Sequence, residues 1–295
     1  MARMYVSCVS CGVTDNKNNM LRLEVLNRGN RSGFICERCA SYEANYSDKN
    51  RNTSGSEKSE LWTCATEFET SGATERGQAH LMSWKFLPSH DCSVWREYKS
   101  PIFNGFGSLV HLCKSLDNLL RDGDISIDED CGTHLHIGKK EIVNHITGEI
   151  YHLDAEALDV LFKYRSELLT PLCDYLTAHP RETEAIFGRR VNRWSQHVRE
   201  IERYNDREQH NARYCAINFC SSTDCTIEFR LNFFRSGKQY ARLIMLEKKM
   251  TEALFVNFLD YWQTGDRDEA LAHQAVKAGN KLLRLMEKEV EKIGM

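Results

Sequence analysis

Three short stretches of the chain set chemically active side chains at every second residue, with oily residues between them. Glu67 and Glu69 fall within Trp62–Glu69, His134 and His136 within Cys131–Gly138, and Glu228, Arg230 and Asn232 within Cys225–Phe233. In an extended strand, successive side chains point to opposite faces. Glu67 and Glu69 therefore share one face, with Trp62, Cys64, Thr66 and Phe68 on the other. His134 and His136 separate in the same way from Leu135 and Ile137. Glu228, Arg230 and Asn232 separate from Ile227, Phe229, Leu231 and Phe233. Two carboxylates side by side repel each other. A divalent cation relieves that cost, and so does water on an open face. A fourth stretch, His90–Ile102, reads as a turn and then a strand carrying Glu97 and Lys99, ended by Ser100-Pro101. Each stretch alone has a plain structural reading: a solvated strand face, a hydrogen-bonded histidine pair, an internal Glu228–Arg230 ion pair. The shared period favours one common chemical face.

The flanking sequence indicates the helices and strands around these groups. Ser108–Leu120 has helical spacing of leucines. Asp154 is placed to cap a helix over Ala155–Ala178, with Pro171 inside it as a point of kinking or splitting. Glu182–Glu208 is polar and helical in places. Arg213–Phe219 reads as a strand, joined to the Glu228 strand through the turn-rich Ser221–Asp224 as a hairpin. Two helices come after it, about Lys238–Trp262 and Asp266–Lys292. Strands, helices, strands, helices without regular βαβ alternation predict an α+β fold, an antiparallel or mixed sheet with helices packed on it.

The twelve cysteines divide in two groups. Cys8-x-x-Cys11 and Cys36-x-x-Cys39 supply four thiolates at the spacing of two knuckles, the donor set of a closed structural zinc site. That predicts a zinc-ribbon-like module over residues 1–42, a flexible linker over 43–60 and a large domain over 61–295. The other cysteines are expected as small buried residues. Residues 1–60 hold nine Lys or Arg against seven Asp or Glu, and the chain carries a net charge of −3. That is a weak footprint for nucleic acid, so a protein-recognition or structural role for the module fits at least as well. No stretch approaches the apolar length needed to span a bilayer, and no apolar signal-peptide core opens the chain; a cytosolic protein is expected.

The ordered set of motifs resembles the amidoligase family of the carboxylate–amine ligase superfamily, which includes glutamine synthetase and glutamate–cysteine ligase. The resemblance covers about Leu61 to Trp262. It is carried by Thr66-Glu67-Phe68-Glu69, by Asp91-Cys92-Ser93 with Glu97-Tyr98-Lys99-Ser100-Pro101, by Cys131-Gly132-Thr133-His134-Leu135-His136, by Asn218, and by Thr226-Ile227-Glu228-Phe229-Arg230. Ala65-Thr66 stands where the family has a glycine before the first acid, and the cysteine pairs lie outside the likeness. The resemblance implies a glutamine synthetase-like catalytic sheet. It further implies Mg²⁺-bound ATP and amide formation from a carboxylate and an amine through an acyl phosphate. Glu67, Glu69, Glu97 and Glu228 are then the candidate Mg²⁺ ligands, with His134 or His136 completing the shell. Arg230 is the candidate phosphate clamp, and Arg213, Asn218 and Lys99 are candidate contacts to nucleotide or substrate. The partners are a carboxylate and an amine, with a peptide or protein as one option.

The sequence contains no glycine-rich phosphate loop of the P-loop or dinucleotide-binding type and no Gly-x-Ser-x-Gly elbow, so those enzyme classes are not supported. Two alternatives stay open at this point. One is a metal-dependent hydrolase or nuclease using the same Glu/His cluster. The other is a non-catalytic zinc-binding adaptor with a degenerate ligase-like domain.

Overall fold

The computed structural model describes residues 62–294 apart from 85, 90–95, 101, 105–112, 114–115, 140, 194, 207–208, 221–224, 234 and 266. Before them it describes the strands Tyr5–Ser7, Thr14–Asn16, Met20–Arg22, Phe34–Cys36 and Asn52–Thr53. Cys8, Cys11 and Cys39, the turn Ser221–Asp224, and Asp91 and Ser93 lie outside the described residues, and Cys36 is described only as the end of a strand.

Among the described residues, eight strands form one mixed sheet: β1 (Asn52–Thr53), β2 (Trp62–Thr70), β3 (Leu87–Ser89), β4 (Arg96–Lys99), β5 (Ile102–Asn104), β6 (Thr133–Lys139), β7 (Ile217–Asn218) and β8 (Ile227–Asn232). Side by side they run β7-β8-β6-β2-β5-β1, with β4 also on β2 and β3 on β4. Every pairing is antiparallel except β5 with β1. β1 lies within the stretch expected as a linker. The long β2 is shared along its edge. Thr63 and Cys64 pair with β5, and Glu67 to Thr70 pair with β4. Ser100 stands at the break between the two: its N–H donates to Thr66 O at 2.8 Å and its Oγ accepts from Thr66 N at 2.8 Å.

Burial along β2 alternates residue by residue as the apolar pattern requires. Its inner side chains Trp62, Cys64, Thr66 and Phe68 are buried, Phe68 against Tyr98 and Phe86. Of the helices α1 (Ala155–Lys163), α2 (Arg165–Ala178), α3 (Pro180–Phe187), α4 (Gly237–Leu254) and α5 (Asp268–Ile293), α4 packs on β6 and β8, α2 packs on α1 and α3, α3 on α4, and α5 on α2 and α4. Tyr240 of α4 hydrogen-bonds Thr66, and Trp62 stacks on Phe255 just beyond α4.

Three expectations change. The long helix breaks at Tyr164 and not at Pro171, and Asp154 caps α1 as expected by accepting from Ala157 N at 3.0 Å. Pro171 removes the donor that would have met the Glu167 carbonyl. Gly279 of α5 packs against that region so closely that a Cβ there would lie 2.6 Å from Glu167 O. Arg213 belongs to a 3₁₀ turn, His210–Arg213, and not to a strand. The third change is in β8. Leu135 opposes Phe229, whereas Thr133 opposes Asn232, so β8 carries one extra residue between them. Such a bulge reverses the facing of the residues beyond it. Asn232 therefore turns away from Glu228 and Arg230 to the helix side, where it faces Glu247 of α4, both fully buried.

Candidate metal and anion site

The outward face of β2, β6, β8 and β4 collects most of the predicted groups by register alone. His134 lies opposite Glu67, His136 opposite Glu228, Lys99 opposite Glu67, and Glu97 opposite Glu69. One oxygen or nitrogen each from Glu67, His136 and Glu228 lie within 4.8 Å of one another. His136 Nε2 is 3.7 Å from Glu67 Oε2 and 3.9 Å from Glu228 Oε1. It is buried and has no hydrogen-bond partner among the described residues. On the other side of the ring, Nδ1 lies 3.2 Å from Thr226 Oγ1, which fixes the imidazole's orientation. An imidazole nitrogen set between two carboxylate oxygens, too far from either for a hydrogen bond, fits a divalent cation. Carboxylates suit Mg²⁺, and an added imidazole extends the choice to Mn²⁺ and its neighbours.

The surrounding charges hold this cluster. Lys99 Nζ is 2.9 Å from Glu67 Oε1. Arg230 Nη1 donates to Glu228 Oε1 at 2.6 Å, and Asn218 Nδ2 donates to Oε2. Burial pushes the Glu67 carboxyl up, but His136, His134 and Lys99 together carry it well below the ordinary value. Burial also opposes ionisation of Glu228, yet Arg230 and the two histidines bring it down to about 2. For His136 burial favours the neutral ring, and Glu67 and Glu228 outweigh it, raising the imidazole to about 9. Without a cation the cluster holds itself together with that proton. Glu97 behaves oppositely: burial, then the charge of Glu67, pushes its carboxyl up to about 8. It must shed a proton before it can serve as a cation ligand.

His134 occupies the centre of the site. Its Nδ1 lies 3.6 Å from Glu67 Oε2 and 3.4 Å from Glu228 Oε1. Its Nε2 faces a second corner built around Gly132, where a Cβ would lie 3.5 Å from that nitrogen, 3.3 Å from Glu69 Oε2 and 3.3 Å from Arg189 Nη1. Glu69 Oε2 accepts from the Gly132 N–H, so this carboxylate belongs to the second corner and not to the Glu67–His136–Glu228 cluster. Arg189 was missed by sequence reading. It lies in the polar run after α3, and its only signal is the preceding glycine. Gly188 closes α3 at φ 80°, and a Cβ there would fall 1.7 Å from Phe233 O. Glycine at this turn lets the chain cross the end of β8 and deliver the next side chain to the site. Arg213 sits at the rim: it is exposed, and its guanidinium and that of Arg230 both approach the Tyr214 ring, at 5.2 and 5.6 Å.

Residues 38–233 match the family described as "Putative amidoligase enzyme". That is more than half of the chain, and the chain belongs to the amidoligase family, within the carboxylate–amine ligase superfamily. The match begins upstream of Leu61 and stops before Trp262, the limits set by the motifs alone. Among solved structures, one titled "Crystal structure of novel glutamine synthase homolog" is 13% identical, covers 94% of this chain and 80% of its own, and superposes with a TM-score of 0.30. That overlap is too slight to bear on the chemistry. Among curated proteins, none matches the chain significantly.

Proposed function

We propose that the chain is an ATP-dependent carboxylate–amine ligase. In the first step a substrate carboxylate oxygen attacks the γ-phosphorus of ATP and ADP leaves. In the second an amine nitrogen attacks the acyl carbon, loses a proton, and phosphate leaves. Phosphoryl transfer requires cations on the phosphate oxygens and a site that excludes competing water. The observation that carries the reading is the Glu67–His136–Glu228 cluster, flanked by the cationic Lys99 and Arg230 on one sheet face. A divalent cation bound there would neutralise triphosphate charge. Glu67, Glu228 and His136 would hold it, with Glu97 as a further ligand once deprotonated. Asn218 and Arg230 fix both oxygens of Glu228, and Thr226 fixes His136. Arg230 is engaged with Glu228 at 2.6 Å, so its part as a phosphate clamp rests on its remaining N–H groups.

The reading is tested by measuring ADP release from Mg·ATP against pools of amino acids and short peptides, with Mn²⁺ binding followed by electron paramagnetic resonance. Glu228→Gln is expected to lower both Mn²⁺ affinity and ADP release by more than about tenfold, the scale seen for losing even a group that only supports a ligand. ADP release that persists in Glu228→Gln, or that needs neither carboxylate nor amine, sinks the reading.

A structural zinc on Cys8, Cys11, Cys36 and Cys39 is part of the same proposal. The strands Tyr5–Ser7 and Thr14–Asn16 pair antiparallel, as do Met20–Arg22 and Phe34–Cys36. In sequence, Cys8 and Cys11 fall between the strands of the first pair, Cys36 ends the second strand of the other pair, and Cys39 follows three residues on. Paired strands with the cysteines at their ends support a ribbon-type site.

A further inference from the structure

The corner around Gly132 has an unusual charge arrangement. Arg189 is half-buried, its Nε is buried with no hydrogen-bond partner, and its one hydrogen bond among the described residues is a long one, Nη2 to Glu129 O at 3.4 Å. Glu69 beside it is tied to the Gly132 N–H. Burial of this guanidinium costs solvation that one long hydrogen bond and the charge of Glu69 return only in part. Arg230, by contrast, already gives its Nη1 donor to Glu228 Oε1 at 2.6 Å. With no side chain at Gly132, Arg189 Nη1, Glu69 Oε2 and His134 Nε2 all face the position a Cβ would take, at 3.3, 3.3 and 3.5 Å. The same His134 ring touches the Glu67–Glu228 cluster with its Nδ1. One imidazole thus separates a cation corner from a guanidinium corner.

We infer that Arg189, with the open Cα of Gly132 in front of it, is the oxyanion-binding residue of this site, holding a phosphate or carboxylate group next to the cation cluster. The inference rests on the ligase reading, since that reaction brings both a γ-phosphate and a carboxylate together beside a cation. A planar guanidinium matches either group through two parallel N–H donors. Glu69 supplies negative charge beside Arg189 and so limits how much more of it the corner accepts.

The experiment uses the full chain and three variants: Arg189→Met, Arg189→Lys and Gly132→Ala. Gly132 does not have a positive φ, so alanine is tolerated by the backbone while its Cβ crowds Arg189. Inorganic phosphate, Mg·ATP and Mg·ADP are titrated calorimetrically, and Mn²⁺ binding is measured in parallel. Arg189→Met and Gly132→Ala are expected to weaken phosphate binding about tenfold or more, the scale of a charge-assisted hydrogen bond, while Mn²⁺ affinity stays within about twofold of wild type. Arg189→Lys should recover part of the loss, which a merely structural role would not predict. If Mg·ATP affinity falls and Mg·ADP affinity does not, the group held is the γ-phosphate. If neither falls while phosphate and malonate compete for one site lost in Arg189→Met, the group held is the substrate carboxylate. Wild-type protein that binds Mg·ATP but not phosphate, or an Arg189→Met variant that binds phosphate as wild type does, overturns the inference and leaves the ligase reading intact. Wild-type protein that binds neither Mn²⁺ nor Mg·ATP overturns both.

Discussion

At the scale of single residues, the site is organised by groups that hold other groups. Thr226 shows this most simply. Its Oγ1 meets His136 Nδ1 at 3.2 Å and so points Nε2 at the two carboxylates. Thr226→Val keeps the volume and removes the hydroxyl. It should weaken Mn²⁺ binding about 10- to 100-fold with the melting temperature little changed, which calorimetric titration and thermal melts together would check. An unchanged affinity would mean that packing alone orients His136. The motif Thr226-x-Glu228-x-Arg230 thus reads as one unit: hydroxyl for the histidine, carboxylate for the cation, guanidinium for the carboxylate.

At the scale of elements, the bulge in β8 decides more than the local alternation does. It leaves Glu228 and Arg230 on the chemical face and sends Asn232 through to α4. There Asn232 faces the carboxyl of Glu247, and burial, only partly offset by Asn232, holds that carboxyl well above its ordinary value. The folded chain therefore keeps a proton that the unfolded chain loses above about pH 4.5. Stability accordingly falls as pH rises from about 4.5 toward the folded value, by up to about 1.4 kcal/mol per pH unit. Glu247→Gln removes that dependence. It should raise the melting temperature at pH 7 and make little difference near pH 4. Equal melting of variant and wild type at both pH values would show that Glu247 ionises in the folded state. The close crossing of α2 and α5 at Gly279 belongs to the same scale, because a backbone contact of 2.6 Å for a Cβ admits only glycine.

At the scale of the whole molecule, the charge balance, the sheet and the N-terminal cysteines are separate matters. A net charge of −3 gives no general attraction for nucleic acid, and among the described residues no helix is long and apolar enough to cross a membrane. If Cys8, Cys11, Cys36 and Cys39 bind zinc, elemental analysis should find one zinc per chain, absent from the fourfold serine variant. Mn²⁺ binding at Glu67, His136 and Glu228 should survive in that variant, since those ligands stand on β2, β6 and β8 alone. Loss of both together would show that the sheet depends on the module. Local pattern was enough to define the chemical face. Period-two alternation in β2, β6 and the first half of β8 fixes which side Glu67, His134, His136, Glu228 and Arg230 occupy, because a strand's side chains alternate whatever lies beside it. The start of the 213–219 stretch is a turn and not a strand, because Arg213 lies outside the two-residue strand Ile217–Asn218 and carries no periodicity that marks it. Which acids meet depended on the folded chain. Strand order put Glu67, His136 and Glu228 together while a backbone N–H drew Glu69 away to Gly132. Arg189 came from a helix end whose only mark was Gly188. Register, a bulge and a turn conformation are long-range matters of hydrogen bonding and packing, and local residue patterns do not encode them.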